Sequence, residues 1–200
     1  ISPEDAVQML AQHLITAPVF DALFGGYEFT EHNPVSQSMQ AMLDQLEDQA
    51  IGKEAETLES FYDSVRKRAE GIDNHEGRQT VITELYEQFF KKAMPKYATG
   101  LGIVYTPIEV VDFILRAVND ALQEHFGTDL SAEGVQILDP FTGTGTFISR
   151  LLASGLIEPH DLARKYSSEL NANEMVLLAY YIAAVNIEAT YHEIANATQF

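Results

Sequence analysis

Residues 139–147 read DPFTGTGTF, and this run holds the residue types and spacing best suited to chemistry. Gly143 and Gly145 can take backbone angles that other residues resist, and without side chains they let a ligand approach the main chain closely. A Gly-x-Gly pair by itself answers equally well to a plain structural turn. Its context argues for more. The preceding run, Val135 to Leu138, is short, β-branched and apolar, which predicts a buried strand. Asp139-Pro140 ends it, because proline cannot donate to a sheet ladder. The segment therefore reads strand, glycine turn, helix, the place where an open α/β sheet holds a ligand.

Asp139 at the strand tip narrows the ligand. A carboxylate there would repel a nucleotide phosphate and attract an ammonium group. S-adenosylmethionine fits that requirement, since it carries a sulfonium, an ammonium and a carboxylate but no phosphate. Glu169 is the second acid of interest. A weak strand within Leu162 to Ser168 would place it one strand-helix-strand unit beyond the turn, where an acid commonly accepts ribose hydroxyls. An ordinary exposed glutamate is the competing reading. For Phe141 and Phe147, lining a pocket competes with packing in the core.

The elements that must position these groups follow from periodicity and caps. Thr106-Pro107-Ile108-Glu109 predicts a helix start, with Thr106 capping, Pro107 at the first helical position and Glu109 completing a capping box. Val111, Ile114, Leu115, Val118 and Leu122 form the expected buried stripe, and Gly127 the stop. A helix is expected from Thr146 to Ala153, and another from Asn173 to Asn186 with Val176, Leu177, Tyr180, Tyr181 and Ala184 inward. The first hundred residues read as helical throughout. Ser2-Pro3-Glu4-Asp5 starts a helix carrying Val7, Leu10, Leu14, Val19 and Leu23, and Gly25-Gly26 stops it. Further helical stretches cover 36–46, 57–69 and 80–94, with apolar stripes that mean helix packing rather than chemistry. Periodicity breaks near Gly100 and Gly102. The expected organisation is a helical region over 1–95 and an α/β region over 96–200.

Composition bounds the partners. The chain has 200 residues, 12 Lys and Arg against 30 Asp and Glu, and a formal net charge of -18. Such a segment offers little basic surface to nucleic acid, so phosphate contacts would come from elsewhere in an intact protein. Arg66-Lys67-Arg68 reads as a solvated helix face. There are no cysteines, which rules out disulfides and thiolate metal sites and fits a reducing cytoplasm. The six histidines show no paired ligand spacing, so surface or capping roles are expected and no metal site. The chain begins with Ile1, shows no signal peptide, and has no run of about 18 apolar residues for a membrane span.

With these residues in hand, a resemblance is plain. DPFTGTGTF resembles the first cofactor motif of amino-methyltransferases that act on DNA. Tyr105-Thr106-Pro107 resembles the additional cofactor motif those enzymes place upstream, in the gamma-type order. Ser168-Glu169-Leu170-Asn171 and the apolar helix after it resemble the second motif. The helical lead-in, then GIVYTP, DPFTGTGTF and ELNANEMVLLAYYIAAVNIE, resemble single-chain type ISP restriction-modification enzymes, which join nuclease, helicase-like translocase, helical coupler, methyltransferase and target-recognition domains.

The resemblance implies a fold: a helical coupler followed by the first part of a Rossmann-like, S-adenosylmethionine-dependent methyltransferase sheet, incomplete here and so left with an open edge. It implies that Asp139, Gly143, Gly145 and Thr146 hold the methionine part, with Tyr105, Thr106 and Pro107 closing over it. Phe141 would wall the pocket and Glu169 would take the ribose. It implies methyl transfer to the exocyclic N6 of adenine in DNA, with DNA and the helicase and target-recognition domains of the same chain as partners. One feature departs from the family. The catalytic Asn/Asp-Pro-Pro-Tyr/Phe run is missing, since no two of the seven prolines are adjacent and Asn33-Pro34-Val35 is no substitute. No catalytic residue is therefore assigned, and this stretch alone is expected to be inactive. Two other readings stand beside this one. A dehydrogenase piece would need a third glycine where Ile148 stands. A helical scaffold that couples motor to methylase would bind no small molecule.

Overall fold

The computed structural model describes residues 2–24, 32–46, 63, 67 and 106–198. The chain divides into two compact units, Ile1–Tyr86 and Glu87–Phe200. Among the described residues no helix is long and apolar enough to cross a membrane.

The first unit contains α1 (Pro3–Phe24) and α2 (Pro34–Leu46), packed on each other. The start of α1 is a reciprocal capping box. The Asp5 N–H donates to Ser2 Oγ at 3.2 Å, and the Ser2 N–H donates back to Asp5 Oδ2 at 2.9 Å. Leu10 and Leu14 of the apolar set in α1 are half-buried. Gln12, His13, Thr16, Ala17 and Phe20 are buried, whereas Val7 is 66% exposed. The start of the helix thus escapes the packing that buries its middle. His13, expected on the surface or in a cap, is fully buried, with Nε2 3.3 Å from Gln40 Oε1 of α2. Asn33 caps α2, its Oδ1 accepting the N–H groups of Val35 and Ser36, both at 3.0 Å. Leu43 is the buried apolar anchor of α2, and Met42, expected beside it, is exposed. The helices expected over 57–69 and 80–94 fall outside the described residues, apart from Asp63 and Lys67, which are helical.

The second unit runs α3 (Ile108–Phe126), β1 (Ile137–Asp139), α4 (Thr146–Ala153), α5 (Leu162–Arg164), a π-helical turn (Lys165–Glu169), β2 (Leu170–Ala172) and α6 (Leu177–Thr198). β1 and β2 are parallel, in register Ile137 to Leu170, Leu138 to Asn171 and Asp139 to Ala172. A parallel pair needs a crossover, which α4 and α5 supply. α3 and α6 both pack on α4. The core they enclose holds Val111, Leu115, Leu130, Ile148, Leu151, Leu152, Ile157 and Leu162.

Several expectations need correction here. The cap of α3 is Pro107, with no side-chain cap bond, so Thr106 does not cap it. Its buried line is Val111, Leu115 and Asn119, while Ile114 and Val118 are 38% and 44% exposed. Asn119 belongs in that line because its Oδ1 accepts the Leu130 N–H at 3.0 Å, fixing the chain beyond the helix. β1 begins at Ile137 rather than Val135. The carbonyls of Ala132 and Val135 instead accept the Nζ of Lys165, at 2.7 and 2.9 Å.

Residues 162–168 are helical and not a strand, and β2 starts at Leu170. Leu162 and Tyr166 take their places in the core at helical spacing, and Lys165 reaches Glu169 at i+4. α6 starts at Leu177 rather than Asn173. Asn173 is occupied beside β1, donating its N–H to the Asp139 carbonyl at 2.9 Å and accepting the Thr142 N–H at 3.1 Å. Leu177 and Tyr181 of the expected inward set are buried; Val176, Tyr180 and Ala184 are only half-buried. The helix expected over 146–153 and the stop at Gly127 match the structure, Gly127 taking φ 64° in the left-handed region.

Candidate functional site at the carboxyl end of the strand pair

The carboxyl ends of both strands lie side by side, so the loops beyond them converge. After β1 the chain turns through Gly143 and Gly145, with φ of 57° and 85°. The turn is closed by its own hydrogen bonds. Thr142 Oγ1 donates to the Asp139 carbonyl at 3.0 Å, and the Gly145 N–H donates to the Thr142 carbonyl at 2.9 Å.

The two glycines face different surroundings. A Cβ on Gly143 would meet nothing within 4 Å, so that position opens outward. A Cβ on Gly145 would meet Ala183 Cα and Ile187 Cγ1 of α6, each at 3.1 Å. Gly143 thus offers bare main chain to a ligand, and Gly145 lets α6 press against the turn.

Asp139 carries the charge. Its Oδ1 accepts the Phe141 N–H at 3.2 Å, and its Oδ2 is buried without a hydrogen-bond partner. Burial pushes this carboxyl above its usual range against the pull of the Phe141 N–H, and the neighbouring Glu174 pushes the same way. A buried, unpartnered carboxylate oxygen is costly unless something pairs with it. A cationic donor group is the chemistry that would satisfy it.

Glu174 is a functional candidate that local sequence patterns do not single out. It stands two residues beyond β2, at the same end of the sheet as Asp139. Its Oε2 accepts the Gly143 N–H at 2.8 Å, and its Oε1 accepts the Val176 N–H at 2.7 Å. Among the described residues, the side chains that bond to the turn from outside are those of Asn173, Glu174 and Asn186, none of them basic. That donor set suits a ligand with ammonium and hydroxyl groups better than one with phosphates.

The structure brings together Asp139, Gly143, Gly145 and Thr146, the last opening α4 with its Oγ1 3.5 Å from Thr144 Oγ1. Phe141 is 88% exposed on the turn, and Phe147 is half-buried against the core. Thr106 is half-buried and Pro107 exposed ahead of α3; Tyr105 lies outside the described residues.

Glu169 is not brought to this end. It precedes β2, at the amino end of the pair, and is 5% exposed. Its Oε1 accepts the Gly134 N–H at 2.7 Å, and its Oε2 meets Lys165 Nζ at 2.8 Å and the Arg164 guanidinium. Lys165 foremost, then the Gly134 N–H and Arg164, hold its carboxyl down to about 2. Glu174 follows the strand residues Leu170–Ala172 and Glu169 precedes them, so the two acids of ELNANE stand at opposite ends of β2.

Comparison with known proteins shows the family of the chain. The profile of the coupler domain of Type ISP restriction-modification enzymes matches residues 1–77, and that of the N-6 DNA methylases matches residues 77–199. Among solved structures the chain is similar to a nuclease-deletion mutant of the Type ISP enzyme LlaGI in complex with a DNA substrate mimic. It is 52% identical with a TM-score of 0.83, over 97% of this chain and 18% of that one. It is 53% identical to the ATP-dependent Type ISP enzyme LlaBIII bound to DNA, with a TM-score of 0.83, over 95% of this chain and 13% of that one. To DrdV, in a complex with DNA, it is 38% identical with a TM-score of 0.87, over 98% of this chain and 19% of that one. The chain therefore spans less than a fifth of the length of these relatives. No curated protein matches it.

Proposed function

We propose, from the premise that this chain belongs to the N-6 DNA methylase family as it occurs in Type ISP restriction-modification enzymes, that its glycine turn holds S-adenosylmethionine for methylation of adenine N6 in DNA. The observation that carries this reading is the partnerless Oδ2 of Asp139 beside the open main chain of Gly143. Asp139 pairs with the ligand's ammonium, and Gly143, Gly145 and Thr146 form the floor under the methionine part. Tyr105, Thr106 and Pro107 close over that end, and exposed Phe141 supplies an apolar wall.

The ribose hydroxyls go to Glu174. Its position at the carboxyl end of β2 is where such an acid serves, and Glu169 is engaged at the other end. The bound cofactor supplies an electrophilic methyl group; this chain's residues bind and orient it. The polar-Pro-Pro-aromatic motif that would hold a flipped adenine has no counterpart within these 200 residues, so the stretch alone transfers nothing. The dehydrogenase reading gives way to the family match. Ile148, where a third glycine would stand, is buried in the core.

The helical first part acts as the coupler between motor and methylase. The change from one to the other falls between residue 77, where the two family matches meet, and about residue 95, where helical periodicity gives out in the sequence. DNA is the partner of the intact enzyme. With a net charge of -18, this segment contributes few of the phosphate contacts. The working compartment on this reading is the cytoplasm.

Calorimetric titration of S-adenosylmethionine, with NAD in parallel, tests the reading in the chain and in the intact enzyme. Saturable binding of the methyl donor alone, lost in Asp139→Ala, is the expected result. An intact enzyme that binds no methyl donor would overturn it.

A further inference from the structure

We propose that Asn186, in the middle of α6, is a positioning residue for the cofactor turn; the inference rests on the reading of that turn as the S-adenosylmethionine site. Asn186 is 3% exposed, and its Nδ2 donates to the Thr144 carbonyl at 3.0 Å. A carbonyl oxygen only accepts, so the amide must present its NH2 group here; flipped, it would set two acceptors face to face. The Oδ1 of the same side chain is buried without a partner, so the bond to Thr144 is not one of several interchangeable contacts for this amide.

The peptide held by Asn186 is the one on which the turn depends. The Thr144 carbonyl is bound by Asn186, and the N–H of the same peptide, on Gly145, is bound by the Thr142 carbonyl at 2.9 Å. Gly145 has φ 85°, so rotation of this peptide would be easy in the absence of both bonds. Ala183 and Ile187, one helical turn and one residue from Asn186 on α6, press on Gly145 from the same side. The other glycine is held differently, its N–H bound by Glu174 just before α6 begins. The segment from Glu174 to Asn186 therefore grips the turn twice, once ahead of the helix and once from its middle. The first grip comes from the acid proposed for the ribose and acts on Gly143; the second acts on the Thr144–Gly145 peptide, under the proposed methionine part.

This division predicts a split between ligands. Loss of the Asn186 donor frees the Thr144–Gly145 peptide but leaves Glu174 in place. In the intact enzyme, Asn186→Asp keeps the size of the side chain and replaces the donor with a second acceptor. Affinity for S-adenosylmethionine, measured by calorimetry, is expected to fall roughly tenfold or more, the scale of an unsatisfied buried acceptor. Affinity for adenosine, which lacks the methionine part, is expected to change by less than about twofold. In methylation assays KM for the methyl donor rises in the same proportion while kcat at saturation stays within about twofold.

A packing role would not separate the two ligands. Equal losses for both, or no loss for either, would overturn the proposal. If Asn186→Asp does not fold, Asn186→Ser is read by the same split. Failure of the unsubstituted enzyme to bind S-adenosylmethionine would instead sink the cofactor reading, and the positioning role with it.

Discussion

The carboxylate of Glu174 accepts the main-chain N–H of Gly143 at 2.8 Å, so an acid just past β2 is bonded into the turn that comes after β1. The parallel register makes this possible. Asp139 lies opposite Ala172, and the next contact beyond, from the Asn173 N–H to the Asp139 carbonyl at 2.9 Å, continues the pairing into the loops. Two acids, one ending β1 and one just past β2, thereby meet at one glycine turn.

Glu174 and Glu169 are expected to separate cleanly on substitution. Glu174→Ala should weaken S-adenosylmethionine binding by about tenfold, the scale of a lost charge-assisted hydrogen bond, with little change in melting temperature. Glu169→Ala should do the reverse, lowering the melting temperature through the loss of a buried partner to Lys165 and Arg164 while any remaining folded protein binds normally. Titration and thermal melts of both variants decide this. A Glu169→Ala protein that keeps its melting temperature and loses the ligand would return the ribose role to Glu169.

The two turn glycines should not be equivalent. Alanine at either costs about 1–2 kcal/mol for its left-handed backbone. At Gly145 the added Cβ also meets Ala183 Cα and Ile187 Cγ1 at 3.1 Å, so Gly145→Ala should exceed Gly143→Ala by roughly 1 kcal/mol or more in denaturant unfolding. At Gly143 the Cβ enters open space, and its effect should appear in ligand affinity instead. Equal stability losses would count against this assignment of the two faces.

Cofactor binding should depend on pH through Asp139. Its carboxyl is raised by burial, and an ammonium partner favours the ionised form. As pH falls through the raised value the site becomes protonated, so affinity should drop and binding should release a proton. Calorimetry in buffers of different ionisation enthalpy reads that proton directly. Proton uptake on binding, or affinity flat across the carboxylate range, would contradict the pairing.

Glu169 sets a second pH dependence, in stability. Its folded value of about 2 lies below the ordinary 4.5. A depressed carboxyl contributes stability that is fully present above the unfolded value and lost as pH falls through the folded one. Unfolding free energy should therefore decline between about pH 5 and pH 2. In Lys165→Met, which removes the foremost cause of the depression, that slope should be shallower and the protein less stable at neutral pH. An unchanged slope would show that Lys165 is not what holds the carboxyl down.

Local chemistry makes much of this protein legible in its sequence. The glycine turn, Asp139 at the strand tip, the helix from Thr146 to Ala153, the stop at Gly127 and the cap at Ser2 all depend on residues a few positions apart. The family motifs lie in that same continuous text. Tertiary structure alone decides whatever depends on pairing across the chain. Strands of three residues are too short for periodicity to locate, so the sequence pattern points to a strand where the chain is helical, and it leaves open at which end of β2 Glu169 stands. Parallel register against β1, not local sequence, sends Glu174 to the glycine turn at the carboxyl end of the pair and Glu169 into a cluster with Arg164 and Lys165 at the other. In the same way the burial of Asn119, His13 and Asn186 cannot be read from local sequence. Each is buried because its polar group meets one distant partner, Leu130, Gln40 or Thr144, and only folding brings that partner within hydrogen-bonding distance.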